Sequence, residues 1–163
     1  MKSKGFTLIE LLMVIAIIGI LASVVLGSLT RARTKADDAA IKSNLTNIRQ
    51  MASIWYDDNG QLYATTDYSL GACPTAVSSG NIFADGKIFS AISSSYAKVG
   101  GSSNSQCVAS ATAWAVAVVL KTSDGNTGSN PDAWCVDSTG SARSYTYASG
   151  QTIANAITVD ACS

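Results

Sequence analysis

The first sixty residues carry one long hydrophobic pattern that changes character part-way along. Residues 6–29 are almost entirely apolar, and the stretch Leu11 to Thr30 contains no charged residue. About 20 residues, each rising ~1.5 Å in a helix, span the ~30 Å hydrocarbon core of a bilayer. The pattern therefore predicts a membrane-spanning helix.

Beyond Arg31, apolar residues recur at steps of three and four, which places them on one face of a helix. They are Ile41, Leu45, Ile48, Met51 and Trp55. No proline occurs between Phe6 and Tyr56, and Asp57-Asp58-Asn59-Gly60 is typical of a helix end, with Gly60 suited to a left-handed C-cap. We expect one continuous helix about 75 Å long. The charges at 31–38 are expected to be solvated.

The C-terminal part carries strand patterns. Residues 111–121 alternate, with Trp114, Val116, Val118 and Leu120 on one face and smaller residues on the other. Residues 133–137 and 143–147 predict two more strands joined by a turn at 138–140, and 153–159 predicts another. Residues 61–106 have weak periodicity, with at most a short helix over 82–96. An antiparallel sheet of three or four strands, covered by the apolar helix face, gives an α+β fold.

Composition argues against several function classes. The 163 residues contain eleven Lys and Arg, eleven Asp and Glu, and no histidine. The C-terminal part has no broad cationic surface, so nucleic acid is not an indicated partner. Without histidine, the commonest general base is missing, and Asp137-Ser138-Thr139-Gly140 offers one protease-like motif with no matching second carboxylate. We expect no enzyme activity and no cofactor.

Glu10 is the only glutamate in the chain and interrupts the apolar run. A carboxylate in an apolar helix requires a cationic partner unless it reaches headgroup water. Cleavage after Gly5 would create such a partner, because Phe6 would then carry a free ammonium that could pair with Glu10 of another subunit. An ordinary secretory signal, cut near Val25-Leu26-Gly27, is disfavoured because the apolar run is too long.

The sequence Gly5-Phe6-Thr7-Leu8-Ile9-Glu10-Leu11-Leu12, continued by Gly19-Ile20-Leu21-Ala22, resembles the processing and assembly motif of type IV prepilins. The resemblance covers roughly the first thirty residues. It implies that a prepilin peptidase cleaves after Gly5 and methylates the new amine of Phe6. It also implies that Glu10 neutralises the N-terminal amine of a neighbouring subunit during filament assembly.

The same resemblance implies a domain organisation and a location. We expect a leader at 1–5, a membrane and filament-core helix at 6–30, its amphipathic continuation at 31–58, and a globular α+β head at 59–163. The basic residues at 31–35, read by the positive-inside rule, place the head in the cytoplasm. The family instead implies a single-pass inner-membrane protein with its head outside the cytoplasm, extracted by an inner-membrane assembly platform.

Two glycines and a serine in the apolar run bear on packing between subunits. Gly19, Ser23 and Gly27 follow a small-xxx-small spacing, which permits close approach of neighbouring helices. Many type IV pilins carry a helix-kinking proline where this chain has Gly27. The resemblance therefore leaves the usual kink in doubt, although glycine also softens a helix.

Four cysteines lie outside the membrane segment, at Cys73, Cys107, Cys135 and Cys162. An even count in an exported domain suggests disulfides, and three pairings are open. By resemblance to pilins whose C-terminal tail is held to a strand, we expect Cys73 with Cys107 and Cys135 with Cys162. A zinc site is disfavoured because the chain has no histidine and no C-x-x-C pair.

One loop offers oxygen ligands to a cation. Asp124, Asn126, Asn130 and Asp132 alternate in a way that could gather oxygens around calcium, as in some pseudopilins. The same residue types are ordinary turn formers, and the closing glutamate of a calcium loop is missing. The sequence therefore favours a plain loop and no metal.

Together these patterns indicate a structural subunit that polymerises with copies of itself. The leading function is a type IV pilus subunit at the cell surface, and the first alternative is the major pseudopilin of a type II secretion system, forming a periplasmic pseudopilus. Retention of Glu10 favours a major over a minor subunit. From another class, the chain could be a monomeric membrane-anchored binding module.

Overall fold

The computed structural model describes residues 5–125 and 131–163. The chain divides into two units, Met1–Lys35 and Ala36–Ser163. Helix α1 (Leu8–Asp58) is continuous and contributes to both units. The predicted long helix is thereby confirmed, beginning and ending within two residues of the expected limits.

The end of α1 is closed as its sequence predicts. Gly60 adopts φ +68°, and the backbone N–H of Gln61 donates to the carbonyl of Tyr56 at 2.9 Å. This bond, from the second residue past the cap back to the third-last helical residue, is that of a Schellman motif. Glycine is suited to this position because the left-handed conformation strains residues that have a Cβ.

The second unit contains a five-stranded antiparallel sheet in the order β1-β2-β3-β4-β5. Its strands are β1 (Tyr68–Gly71), β2 (Ser105–Ala109), β3 (Trp114–Val119), β4 (Ala133–Asp137) and β5 (Ala142–Tyr145). Helix α2 (Gly86–Ala97) lies between β1 and β2 in the chain. A separate hairpin consists of β6 (Ile157–Thr158) and β7 (Ala161–Cys162).

Strand β3 is buried on both faces, as its alternation predicts. Trp114, Val116 and Val118 belong to the main core, which includes residues of α1 and α2. Ala115 and Ala117 face the C-terminal segment, where Ile157 and Cys162 pack against them. Alanine on this face leaves room for the segment to approach the strand closely.

The apolar face of α1 covers the sheet in the way expected. Ile41, Leu45 and Ile48 have no exposed surface, and Ala52 is also buried. Each large side chain so buried contributes about 1.5–3 kcal/mol of hydrophobic stabilisation. The C-terminal half of α1 therefore belongs to the core of the second unit.

Three sequence expectations were wrong in detail. The sheet has five strands rather than three or four: β1 forms within residues 61–106, where periodicity is weak, and β2 begins at the end of that segment. Residues 153–159 do not add a strand to the main sheet: Ile153–Ala156 is a 3₁₀ turn, followed by the two residues of β6. Helix α2 begins at Gly86 because the Asp85 carboxylate caps the N–H groups of Lys87 and Ile88.

The charges where α1 enters the second unit are not simply solvated. The Asp38 carboxylate is 6% exposed and accepts hydrogen bonds from the backbone of Lys121 and Thr122, at 2.6 and 3.1 Å. Asp37 pairs with the ammonium groups of Lys121 and Lys98, at 2.7 and 3.1 Å. These two cations, Lys121 foremost, lower the pKa of Asp37. The carboxylates join α1 to the end of β3.

Two disulfides and a buried carboxylate hold the rest of the head. Cys73 bonds to Cys107, and Cys135 bonds to Cys162, which is the pairing expected from the resemblance. Asp137 is 2% exposed and accepts the backbone N–H of Cys162 at 2.9 Å, while Arg143 donates to the Cys162 carbonyl. The C-terminal segment is thus fastened to β4 and β5 by one covalent and two polar contacts.

Loss of the Cys135–Cys162 disulfide should destabilise the head. A chain with Cys135→Ser and Cys162→Ser is expected to lose about 3–4 kcal/mol of unfolding free energy, because the unfolded chain is no longer cross-linked. Urea unfolding of the full chain in detergent micelles, with and without reductant, measures this loss. Reductant should destabilise the double variant less than the wild type. Equal stability of variant and wild type without reductant would contradict the prediction.

Two buried carboxylates should make the head sensitive to acid. Burial alone would raise the pKa of Asp132 and Asp137, but their hydrogen bonds outweigh it and lower both values. A carboxylate with a lowered folded pKa contributes stability above its unfolded value, near 3.9, and loses it as pH falls through the folded pKa. The urea concentration at the unfolding midpoint should therefore decrease as the pH is lowered from about 5 to about 2. Asp137→Asn should be less stable at neutral pH and show a shallower fall; parallel profiles would exclude this role.

Candidate processing and assembly site

The Gly5–Phe6 bond lies just before the first turn of α1. Gly5, Phe6 and Thr7 precede the helix, which begins at Leu8, and the Phe6 side chain is 77% exposed. A peptide bond outside a helix can be bound in extended form by a protease without unwinding hydrogen-bonded turns. The predicted cleavage position is therefore accessible in the described chain.

Glu10 forms a capping box with Thr7 at the start of α1. The Glu10 Oε2 atom accepts hydrogen bonds from the backbone N–H and the hydroxyl of Thr7, at 2.9 and 2.7 Å. In return, the Glu10 N–H donates to the Thr7 hydroxyl at 3.3 Å. The reciprocal bonds satisfy donors that a helix start leaves free, and the carboxylate lies where the helix dipole favours negative charge.

This use of Glu10 occupies one carboxylate oxygen and leaves the other available. Within the described residues, Oε1 makes no hydrogen bond, whereas Oε2 accepts two. Glu10 was predicted as a functional residue from the sequence but Thr7 was not, although Thr-x-x-Glu before an apolar run is the signature of a capping box. The carboxylate can therefore cap its own helix and still offer an oxygen to a cation outside the chain.

The first unit presents a wholly uncovered apolar surface. Every side chain from Gly5 to Arg33 is exposed, including those of Leu8, Ile15 and Leu26. Among the described residues, one helix is long and apolar enough to cross a membrane, judged by length and composition. So extensive an apolar surface requires a lipid or protein environment.

The hydroxyl groups in this apolar run are satisfied within the helix. Ser23 and Ser28 donate to the carbonyls of Ile20 and Val25, at 2.8 and 2.9 Å. Thr30 donates to the Leu26 carbonyl at 3.2 Å. Because hydrocarbon offers no hydrogen-bond partners, these internal bonds make the three hydroxyls compatible with a bilayer or a dry helix bundle.

The glycines of α1 have no packing role among the residues that the structure describes. A Cβ added at Gly19 or Gly27 would meet no atom within 4 Å. Glycine in a helix interior costs about 1 kcal/mol relative to alanine, so these positions are destabilising in the isolated chain. Close approach of a neighbouring helix would use the space they leave.

The calcium candidate is only partly within the described residues, because Asn126 and Asn130 lie outside them. Asp132 is fully buried, and its oxygens accept hydrogen bonds from the hydroxyl of Ser123 and the backbone of Gly125 and Tyr147, at 2.5 to 3.0 Å. Across residues 5–125 and 131–163, no three His, Cys, Asp or Glu side chains are grouped to hold a metal. Asp132 thus bonds to described residues on either side of it in the chain, Ser123 and Gly125 before it and Tyr147 after it.

Comparison with known proteins identifies the family. A model of the prokaryotic N-terminal methylation motif matches residues 1–26. The type IV wide pilus major component PilA4 of Thermus thermophilus is 33% identical over 135 residues, which cover 80% of this chain and 96% of that protein. The chain belongs to the type IV pilin and pseudopilin family. It is accordingly a pilin-type structural subunit.

Other relatives match mainly half of the chain. The type II secretion system core protein G of Dickeya chrysanthemi is 37% identical over 71 residues, covering 44% of this chain and 46% of that protein. That of Aeromonas hydrophila is 35% identical over 88 residues, covering 52% and 61%. No solved structure gives a significant match. The family contains pilus and secretion subunits, and both kinds resemble this chain.

The capping box makes a prediction about the start of α1. Thr7→Val should fray the first turn, because valine keeps the size of threonine but has no hydroxyl to bond with Glu10. Hydrogen–deuterium exchange of the full chain in micelles should become faster at the amides of Glu10 and Leu11, which donate to the hydroxyl and the carbonyl of residue 7. Thr7→Ser, which keeps the hydroxyl, should preserve their protection. Unchanged exchange in Thr7→Val would show that the box contributes nothing to the helix start.

Proposed function

We propose that this chain is the structural subunit of a type IV pilus. It is inserted in the inner membrane by the apolar part of α1, cleaved after Gly5 and methylated at Phe6. The mature subunit then leaves the membrane and polymerises through the same helix, with its head outside the cytoplasm. A prepilin peptidase and an inner-membrane assembly platform are the partners of these steps.

The observation that carries the proposal is the uncovered apolar surface of the first unit with a carboxylate at its start. A membrane anchor requires the apolar residues but not Glu10, which costs free energy wherever lipid surrounds it. Polymerisation requires both, because the apolar surfaces of many copies cover one another and Oε1 of Glu10 can receive the methylated ammonium of Phe6 from a neighbour. The accessible Gly5–Phe6 bond supplies that ammonium.

Coverage of the relatives favours a pilus over a pseudopilus. The match to the Thermus thermophilus pilus component covers 96% of that protein and 80% of this chain, so it extends into the head. The secretion proteins from Dickeya chrysanthemi and Aeromonas hydrophila match no more than 61% of their own length. The head determines what a filament presents, so a match that extends into the head favours the pilus. A periplasmic pseudopilus is the second candidate, supported by the several core protein G relatives.

Replacement of Glu10 tests the role of its carboxylate in polymerisation, while cleavage and methylation are measured separately. The chain is expressed together with a prepilin peptidase and an inner-membrane assembly platform, as wild type, as Glu10→Gln and as Glu10→Ala. Mass spectrometry should find cleavage after Gly5 and a methylated Phe6 in the wild type. Electron microscopy should find filaments with the wild type, and at least tenfold fewer with either variant, because neither carries the charge that pairs with the ammonium.

Matched controls distinguish this result from loss of insertion. Glu10→Asp keeps the charge on a shorter side chain and should retain more filaments than Glu10→Gln. All variants should fractionate with the membrane, since the apolar run is unchanged. An uncleaved N-terminus, or filaments formed equally well without a carboxylate at position 10, would reject polymerisation by this route and favour a membrane-anchored binding module. Filaments outside intact cells, rather than only in the periplasm, would favour the pilus over the pseudopilus.

A further inference from the structure

A cavity of about 310 Å³ lies in the second unit between α1 and the turn that joins β4 to β5. On one side, α1 contributes Thr46, Arg49, Gln50 and Ser53, which recur at helical spacing beside the apolar face. On the other side lie Ser138 and Gly140 of the turn. The volume is at the lower end of the range for small-ligand sites. Nothing in the assembly mechanism uses this cavity.

Arg49 brings an unpaired cation to the cavity. Within the described residues its guanidinium makes no hydrogen bond and no ion pair. A Cβ placed on Gly140 would lie 3.2 Å from Arg49 Nη2, so the guanidinium rests directly on the turn, where glycine leaves it room. Gly140 has φ +96°, a conformation that L residues rarely adopt. The guanidinium therefore lies beside the turn without being neutralised there.

Asp137 lies in the cavity wall but is committed to other partners. Its Oδ1 accepts hydrogen bonds from the N–H and hydroxyl of Thr139 and from the N–H of Ser141, at 2.9, 2.7 and 3.1 Å. Its Oδ2 accepts the N–H of Cys162. Arg49 therefore stays available to a ligand, while the charge of Asp137 disfavours a doubly charged anion more than a singly charged one.

The remaining walls offer neutral hydrogen-bonding groups. The amide of Gln50 can both donate and accept. The hydroxyls of Thr46 and Ser53 donate to the carbonyls of Lys42 and Arg49, at 2.7 and 3.0 Å, so towards a ligand their oxygens act as acceptors. Trp114 and Tyr63 supply aromatic surface, with their rings edge-on at 6.4 Å between centroids. Trp114 is 1% exposed, and its Nε1 makes no hydrogen bond of good geometry within the described residues. Such walls suit a hydroxylated ligand better than an aliphatic one.

We propose that this cavity binds a sugar bearing one carboxylate, a hexuronate, with Arg49 pairing with the carboxylate and Gln50 and Ser53 bonding to ring hydroxyls. The planar guanidinium presents two parallel N–H donors, which match the two oxygens of a carboxylate. A singly charged acid is favoured over phosphate because Asp137 is close. The site would give the head a ligand of its own, whether or not the chain assembles.

Calorimetric titration of the full chain in detergent micelles tests this directly. Galacturonate is the probe, galactose is the neutral match, and inorganic phosphate is the competing anion, each up to about 10 mM, which detects a millimolar Kd. Galacturonate should bind at least tenfold more tightly than galactose or phosphate. Absence of galacturonate binding, or equal binding of galactose, would overturn the proposal. Preference for phosphate would replace the sugar by an inorganic anion and overturn it as well.

Variants assign the binding to Arg49. Arg49→Gln should weaken galacturonate binding at least tenfold, and Arg49→Lys, which keeps the charge but lacks the fork, should weaken it less. Lys87→Gln removes an exposed cation that does not line the cavity and should leave the affinity unchanged. Far-UV and near-UV circular dichroism should show that Arg49→Gln folds as the wild type does. Full affinity in folded Arg49→Gln would place the ligand elsewhere.

Failure of this proposal is distinct from failure of the assembly proposal. The titration uses dispersed subunits and requires neither cleavage after Gly5 nor a filament. A Glu10→Gln chain, altered outside the second unit, should bind galacturonate with wild-type affinity. Loss of binding in that variant would contradict an independent site in the head.

Discussion

One helix has to satisfy two environments with a single run of backbone hydrogen bonds, and the rest of the chain follows from this constraint. From Leu8 to about Arg33 every side chain of α1 is exposed, whereas Ile41, Leu45 and Ile48 are completely buried against the sheet. The backbone is α-helical throughout. The side chains alone therefore determine which part of the helix requires lipid or other helices around it and which part packs into the core of the head. Asp37 and Asp38 lie at the change and bond to the end of β3. They join the helix to the head where its apolar face begins.

Periodic signals in the sequence were sufficient for most of the fold. The uninterrupted apolar run, the three-and-four spacing after Arg31 and the alternation along β3 each predicted an element that the structure confirms. Strands β1 and β2 escaped prediction for different reasons. Tyr68–Gly71 is a short edge strand with a register irregularity, whereas Ser105–Ala109 is buried yet mixes polar and small residues, so neither shows clear alternation. Their pairing is set by β3 and by the Cys73–Cys107 bond, which are long-range effects.

Some residues of the candidate sites could be predicted and others could not, because a sequence motif shows partners that are close in the chain but not those brought together by the tertiary fold. Gly5, Phe6 and Glu10 could be identified from their order in the chain, and Thr7 could have been, since its partner is three residues away. The roles of Asp38 and Asp137 could not, because their partners lie 83 and 25 residues away. The cavity at Arg49 could not be predicted either, because residues distant in sequence form it. The polar residues that α1 contributes to the cavity recur at helical spacing and can be recognised in the sequence. The turn at Gly140 completes the cavity, but only the folding of the sheet brings this turn next to α1.

The capping box changes the free-energy difference between Glu10 in an isolated subunit and Glu10 in the proposed assembly. A carboxylate with no partner in the chain would favour assembly simply by being costly in the membrane. Here Thr7 already stabilises the carboxylate through Oε2, so part of that cost is offset before any neighbour arrives. A neighbour's ammonium binding at Oε1 would add to the cap instead of competing with it. Held by Thr7 in one orientation, the carboxylate is pre-organised for its partner, which reduces the side-chain entropy lost on pairing. The selectivity of assembly would then rest on the geometry of the first helical turn as well as on charge.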